Sequence, residues 1–131
     1  MRILVADDNV DNAETLGLLL RSEGHDVTLA HRGDDAWETY QAATFDVAAL
    51  DIGMPGMTGI QVAQRIRAHG AAKPPLLIAI TGWGTEKDKR DAKRAGFDLH
   101  CTKPVDFPQL NQCIRNWPAG RATVSPDMRL T

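Results

Sequence analysis

With 131 residues, 43% of them hydrophobic and 24% charged, the chain has the balance of one folded domain large enough to bury a core. A formal net charge of −2 removes the electrostatic case for direct nucleic-acid binding or for adhesion to a membrane surface. The run Leu16–Leu20 is far too short to cross a bilayer, and Asp7 and Asp8 interrupt what would be the apolar region of a signal peptide.

Arg2–Ala6 is a short apolar run that predicts a first strand, ending on Asp7-Asp8-Asn9. Asn9 is the expected N-cap of a helix whose inward face carries Ala13, Leu16, Gly17 and Leu20, spaced i, i+3, i+4, i+7, with Gly24 as its stop. Asp26–Ala30 reads as a second strand. Gly33-Asp34-Asp35 then opens a helix with Ala36, Tyr40 and Ala43 facing inward. Phe45–Leu50 predicts a third strand of the kind buried on both faces of a parallel sheet. It stops on Asp51, and the turn-forming stretch Ile52-Gly53-Met54-Pro55-Gly56-Met57 follows at once. Turn statistics alone would make Asp51 a simple turn starter.

Thr58 is the expected cap of the next helix, with Gly59, Val62, Ala63 and Ile66 on one side and Gly70 and Pro74-Pro75 breaking the pattern. Leu76–Ile80 reads as the fourth strand, stopping at Thr81-Gly82. Thr85–Ala95 is helical in pattern but leaves mainly Ala92 and Ala95 for the core, which predicts a weakly packed element of low local stability. Phe97–Thr102 predicts a short fifth strand followed by Lys103-Pro104. Asp106 caps a last helix with Phe107, Leu110 and Ile114 inward, and Pro108 is tolerated in its first turn. From Pro118 onward the periodicity is lost, so the expected organisation is one domain over 1–117 and a flexible tail or linker stub over 118–131. Cys101 and Cys113 show no metal or redox spacing, so two reduced thiols and a cytoplasmic protein are expected.

Five strands alternating with five helices predict an α/β fold, a doubly wound parallel sheet with right-handed crossovers and helices on both faces. Open sheets of this kind collect ligands at the carboxyl ends of their strands. That rule brings Asp7, Asp8, Asp51, Thr81 and Lys103 to one rim. Three carboxylates held together must protonate or take a cation, and a small all-oxygen donor set suits Mg2+. Asp8 and Asp51 are candidates for direct ligands, Asp7 for a ligand through water, and the backbone carbonyl of Gly53 for a further one. The plainer reading of Asp7 and Asp8, a capping cluster at a helix start, stays open at this point. A carboxylate beside Mg2+ can accept a phosphoryl group as an acyl phosphate, with Lys103 and Thr81 available to its oxygens.

Asp7-Asp8, Asp51 with Met54-Pro55-Gly56-Met57-Thr58-Gly59, Thr81-Gly82 and Lys103-Pro104, in this order over about residues 1–117, resemble the response-regulator receiver family of two-component signalling. The resemblance implies a flavodoxin-like fold with strand order 2-1-3-4-5, and a signalling domain rather than an enzyme. It implies that Asp51 accepts a phosphoryl group from a kinase phosphohistidine, assisted by Asp7, Asp8 and Mg2+. It also implies that Thr81 moves toward the phosphoryl group while Lys103 bonds it, altering the face formed by the fourth helix, fifth strand and fifth helix. The partners it implies are a sensor histidine kinase or a phosphotransfer protein, together with a downstream protein of unknown identity. His100 stands where the family has its switch aromatic; a His can rotate inward and can also titrate. Trp83, two residues after Thr81, is a candidate shield for the acyl phosphate or an anchor for a partner. Ile80-Thr81-Gly82-Trp83-Gly84 and Ala95-Gly96-Phe97-Asp98-Leu99-His100 are similar to receivers attached to hybrid sensor histidine kinases.

Two other readings fare worse. An aspartyl-phosphate phosphatase of the haloacid-dehalogenase type needs a general acid two residues after its nucleophile, and here that position is Gly53. A flavin-binding module on the same fold cradles phosphate after the first strand, where Asp7-Asp8 would repel it.

Overall fold

The computed structural model describes residues 1–82 and 84–117. The expectations for Trp83 and for the tail over 118–131 lie outside the described residues. The chain runs β1 (Arg2–Ala6), α1 (Val10–Ser22), β2 (Asp26–Ala30), α2 (Gly33–Ala42), β3 (Val47–Asp51), α3 (Gly59–His69), β4 (Leu76–Thr81), α4 (Glu86–Ala95), β5 (Leu99–Thr102) and α5 (Phe107–Asn116). The five strands form one parallel sheet in the order β2-β1-β3-β4-β5, as expected. No described helix is long and apolar enough to cross a membrane.

The alternation of side chains along each strand divides the core in two. Ile3 and Val5 point to the side covered by α1 and α5, where they pack with Leu16, Leu20, Ile78, Leu110 and Ile114. Leu4 and Ala6 point to the other side and pack with Ala36, Tyr40, Val62, Ile66 and Ala92 from α2, α3 and α4. Every residue of β3 and β4 is buried, because helices cover both faces of the central strands. The helix starts follow local chemistry. The side chains of Asn9, Thr85 and Asp106 each accept a backbone N–H three residues on, and Thr58 and Gln61 form a reciprocal capping box.

Five expectations need correction in detail. β3 starts at Val47 and includes Asp51. The exposed residue Asp46 leads into it and exchanges two bonds with Arg2, while Phe45 is buried by packing beside Tyr40 instead of by the sheet. Ala43 lies beyond α2 as its half-buried C-cap. β4 extends to Thr81. β5 starts at Leu99, because Gly96 turns with φ +107° and Phe97 donates back to the Ala92 carbonyl to close α4. On α5, Asn111 and Cys113 are buried in addition to Leu110 and Ile114, whereas Phe107 is half-buried.

α4 buries only Ala92 and Ala95, as its composition predicts. Its C-terminal end is tied down by Arg67 of α3, whose Nε donates to Gly96 O at 2.9 Å, Nη1 to Pro75 O at 3.0 Å and Nη2 to Asp98 Oδ2 at 2.8 Å. This staple sits at the amino-terminal edge of the sheet, and the carboxyl edge is free to carry a site.

Candidate functional site

The carboxyl ends of β1, β3, β4 and β5 bring together Asp7, Asp8, Asp51, Thr81 and Lys103, the set expected on one rim. One carboxylate oxygen from each of Asp7, Asp8 and Asp51 lies within 4.8 Å of the other two. Asp7 and Asp51 are buried and Asp8 is exposed, so the cluster opens to solvent on the Asp8 side. The Nζ of Lys103 lies 2.9 Å from Asp51 Oδ2 and 3.2 Å from Asp7 Oδ2.

Backbone donors fix both buried carboxylates. Asp7 Oδ1 accepts the Asn9 N–H at 2.9 Å, and Asp51 Oδ1 accepts the Gly53 N–H at 3.1 Å. The start of α3 is pressed against the end of β3. A Cβ on Gly59 would lie 2.4 Å from the Asp51 carbonyl oxygen, so the turn after Asp51 can close this tightly only with glycine there. At Gly53 the opposite holds, since a Cβ there would meet nothing within 4 Å and the position faces open space.

The electrostatics show an excess of negative charge. Burial pushes the Asp7 carboxyl up to about 6, and the neighbouring Asp51 adds to this against the Asn9 N–H and Lys103. Burial also acts to raise Asp51, but Lys103, Asp7 and the Gly53 N–H outweigh it and hold that carboxyl below the usual range. Burial acts to lower Lys103, and its bonds to Asp51 and Asp7 reverse the effect and raise it. One ammonium thus reaches two of the three carboxylates in the cluster. An all-oxygen donor set with surplus negative charge and an open side fits a hard divalent cation that keeps part of its water shell.

Thr81 ends β4, and its carbonyl accepts the Lys103 N–H at 2.7 Å, which joins the ends of β4 and β5. It lines, with Asp51, Gly53, Gly82, Asp88 and Asp91, a cavity of about 280 Å3 directly beside the acidic cluster. A larger groove of about 450 Å3 opens on the other side, lined by Asp7, Lys103, Leu16, Leu19, Val105 and Phe107. Elsewhere on α1, Leu18 is 68% exposed. Leu18 and Leu19 fall off the buried face of α1, and that surplus of apolar residues is the sequence signal for an apolar surface here. His31, which carries no such signal, places its Nδ1 3.1 Å from the Asp7 carbonyl oxygen.

His100 is not part of the acidic cluster. It is buried within β5 and lines a separate cavity of about 180 Å3 with Lys89, Cys101, Thr102, Asp106 and Gln109. Its Nε2 is the one buried side-chain nitrogen or oxygen without a hydrogen-bond partner among the described residues. Burial and the Lys89 ammonium hold its pKa below the ordinary value, with Asp88 acting in the other direction. Cys101 and Cys113 are both buried, and burial pushes the Cys101 thiol up to about 12, which makes it unreactive.

The sequence model of the response regulator receiver domain matches residues 3–115. The sensor protein GacS of Pseudomonas syringae pv. syringae is 33% identical over 119 residues, covering 88% of this chain and 13% of that protein. An uncharacterized 14.6 kDa protein of Leptolyngbya boryana is 32% identical over 117 residues, 89% of each chain. Among solved structures, the receiver domain of Ssk1 in its co-crystal with the histidine phosphotransfer protein Ypd1, from Saccharomyces cerevisiae, superposes with a TM-score of 0.82. That match has 27% identity and covers 91% of this chain and 89% of the other. The chain thus spans about one-eighth of the length of its sensor-protein relative and nearly all of its small one.

Proposed function

Because the chain belongs to the response regulator receiver domain family, a signalling module of two-component systems, we propose that Asp51 takes a phosphoryl group from the phosphohistidine of a sensor histidine kinase or phosphotransfer protein. The observation that carries the proposal is the setting of the Asp51 carboxylate. It is buried, kept ionised by Lys103 at 2.9 Å, and flanked by the carboxylates of Asp7 and Asp8.

In this reading Asp7, Asp8 and Asp51, with the backbone carbonyl of Gly53, hold Mg2+. The ion supplies neutralisation of the oxygens on the transferring group. An Asp51 oxygen forms the new bond to phosphorus as the bond from phosphorus to the imidazole nitrogen breaks, and the imidazole keeps the electron pair. Lys103 exchanges its bond to Asp51 for one to a phosphoryl oxygen, and the Thr81 hydroxyl donates to another. The movement of Thr81 is coupled through β5 to His100, and the surface of α4, β5 and α5 changes in response. Gly53 offers no side chain to activate water, in keeping with a site that stores a phosphoryl group.

The apolar groove beside Asp7 and Lys103 supports docking of a helix that presents the phosphohistidine, with Leu16 and Leu19 as contacts. Pairing with a phosphotransfer protein is what the similar Ssk1 receiver does in its co-crystal with Ypd1. The reading includes residues 1–117 as the signalling unit and a cytoplasmic setting. The test is labelling by acetyl phosphate in the presence of Mg2+. The wild type is expected to form an acid-stable, hydroxylamine-sensitive adduct and Asp51→Asn none; equal labelling of both would overturn the assignment.

A further inference from the structure

The turn between β2 and α2 supplies no residue to the acidic cluster, yet it touches both of the loops that do. Ala30 O accepts the Asp7 N–H at 3.0 Å, and His31 Nδ1 lies 3.1 Å from the Asp7 carbonyl oxygen. A carbonyl oxygen only accepts, so Nδ1 carries the ring proton and donates. The last residue of β2 and the first of the turn therefore hold both peptide groups of Asp7. Two residues further on, the Gly33 N–H donates to Pro55 O at 3.1 Å, in the loop that follows Asp51. The approach is as close as backbones allow, since a Cβ on Gly33 would lie 1.5 Å from the Met57 carbonyl oxygen and 2.4 Å from its carbon. The ion pair between Arg32 Nε and Asp34 Oδ1, 3.1 Å apart, lies against the same loop at Gly56, where a Cβ would meet Asp34 Oδ1 at 2.5 Å.

The consequence concerns spacing. β1 and β3 are paired from Ile3↔Val47 to Ala6↔Leu50, and that pairing stops before Asp7, Asp8 and Gly53. Beyond the strand ends, the distance between the two loops is set by what lies against both of them. Residues 31–34 do so, with one hydrogen bond from His31 to the first loop and a bond plus a zero-clearance contact from Gly33 to the other. We propose that this turn is a brace for the cation site, in which His31 and Gly33 are positioning residues that set the separation between the Asp7-Asp8 carboxylates and the segment from Asp51 to Gly53.

The proposal rests on the reading of the cluster as a Mg2+ site, and it has a readout that does not need the ion. His31→Phe keeps the ring's bulk and removes the donor, whereas His31→Asn places an amide N–H near the position of Nδ1. By calorimetric titration of the full chain with MgCl2, His31→Phe is expected to bind roughly tenfold more weakly, the usual effect of removing a support behind a metal ligand, and His31→Asn to recover most of the loss. In the metal-free protein, His31→Phe is expected to speed exchange of the Asn9 amide about fivefold, the loss of one ordinary hydrogen bond. Gly33→Ala improves helix propensity at the first residue of α2, so weaker Mg2+ binding with faster Met57 amide exchange in that variant would come from the loop contact and not from loss of the helix. Wild-type affinity and exchange in His31→Phe would overturn the brace, as would His31→Asn being as impaired as His31→Phe. If the wild type binds no Mg2+, the cation reading fails, and the exchange rates alone decide whether the turn holds the loops.

Discussion

Lys103 reaches from the end of β5 to place its ammonium 2.9 Å from Asp51 Oδ2, and the same nitrogen lies 3.2 Å from Asp7 Oδ2. One cation thus serves two buried carboxylates on different strands. Removing it leaves uncompensated charge in a partly desolvated site. Lys103→Met is expected to destabilise the metal-free protein by roughly 2 kcal/mol, below the range for fully buried pairs because the lysine keeps some solvent contact. Urea unfolding with and without MgCl2 checks this. Added Mg2+ should restore more stability to the variant than to the wild type, because the cation then replaces the missing ammonium.

Asp7 works in the opposite sense. Burial raises its folded-state pKa to about 6, above the ordinary value of 3.8, so the folded protein holds the proton more tightly than the unfolded chain. The contribution is present below pH 3.8 and is lost as pH rises through about 6, so ionised Asp7 opposes folding at neutral pH in the absence of metal. Asp7→Asn should therefore be more stable than the wild type at pH 7 by about 1 kcal/mol or more, with the gap closing at low pH. Melting temperatures at two pH values measure it. Mg2+ should raise the melting temperature of the wild type and leave that of the variant nearly unchanged.

His100 is buried with its Nε2 unpartnered, and burial together with Lys89 depresses its pKa below 6.5. The groups around it are Lys89 and Asp88 on α4 and Asp106 before α5. For a histidine held neutral, the unfolded chain takes up the proton first. Its contribution is complete above pH 6.5 and is lost as pH falls below that value through the depressed pKa. His100→Phe should flatten the acid limb of the stability profile below pH 6.5 and add about 1 kcal/mol at pH 7 by removing the orphaned nitrogen. A variant whose acid limb matches the wild type would show that the histidine finds a partner on protonation.

Arg67 holds the end of α4, an element with only two buried side chains of its own, through three hydrogen bonds to Gly96, Pro75 and Asp98. Arg67→Ala should cost about 2–3 kcal/mol and raise amide exchange in α4 before it does so in α3. Arg67→Lys should recover only a small part, because an ammonium cannot span three acceptors set around a planar fork.

Much of this molecule was written in local rules. Asn9, Thr58, Thr85 and Asp106 cap helices because a short polar side chain reaches an amide three residues on, and that reach needs no knowledge of the rest of the fold. The buried faces of α1 and α3 likewise follow from a period of 3.6, and the alternation of strands and helices leads to the parallel sheet. Because strand ends in such a sheet share one edge, the meeting of Asp7, Asp8, Asp51, Thr81 and Lys103 could be read before any coordinate.

Strand limits could not, since they depend on pairing partners far along the chain. Asp51 counts as the last residue of β3 because it pairs with Ile80, and Asp46 falls outside because it bonds Arg2. The roles of His31 and Gly33 were equally hidden, as the partners of each lie more than 20 residues away and bind through backbone atoms that carry no sequence signature. Which groups gather at the rim follows from the order of residues alone, because side-chain period and the alternation of elements are encoded locally. The tertiary structure decided their ionisation and the spacing of their loops, because burial, shared cations and backbone-to-backbone contact arise only when distant segments are packed together.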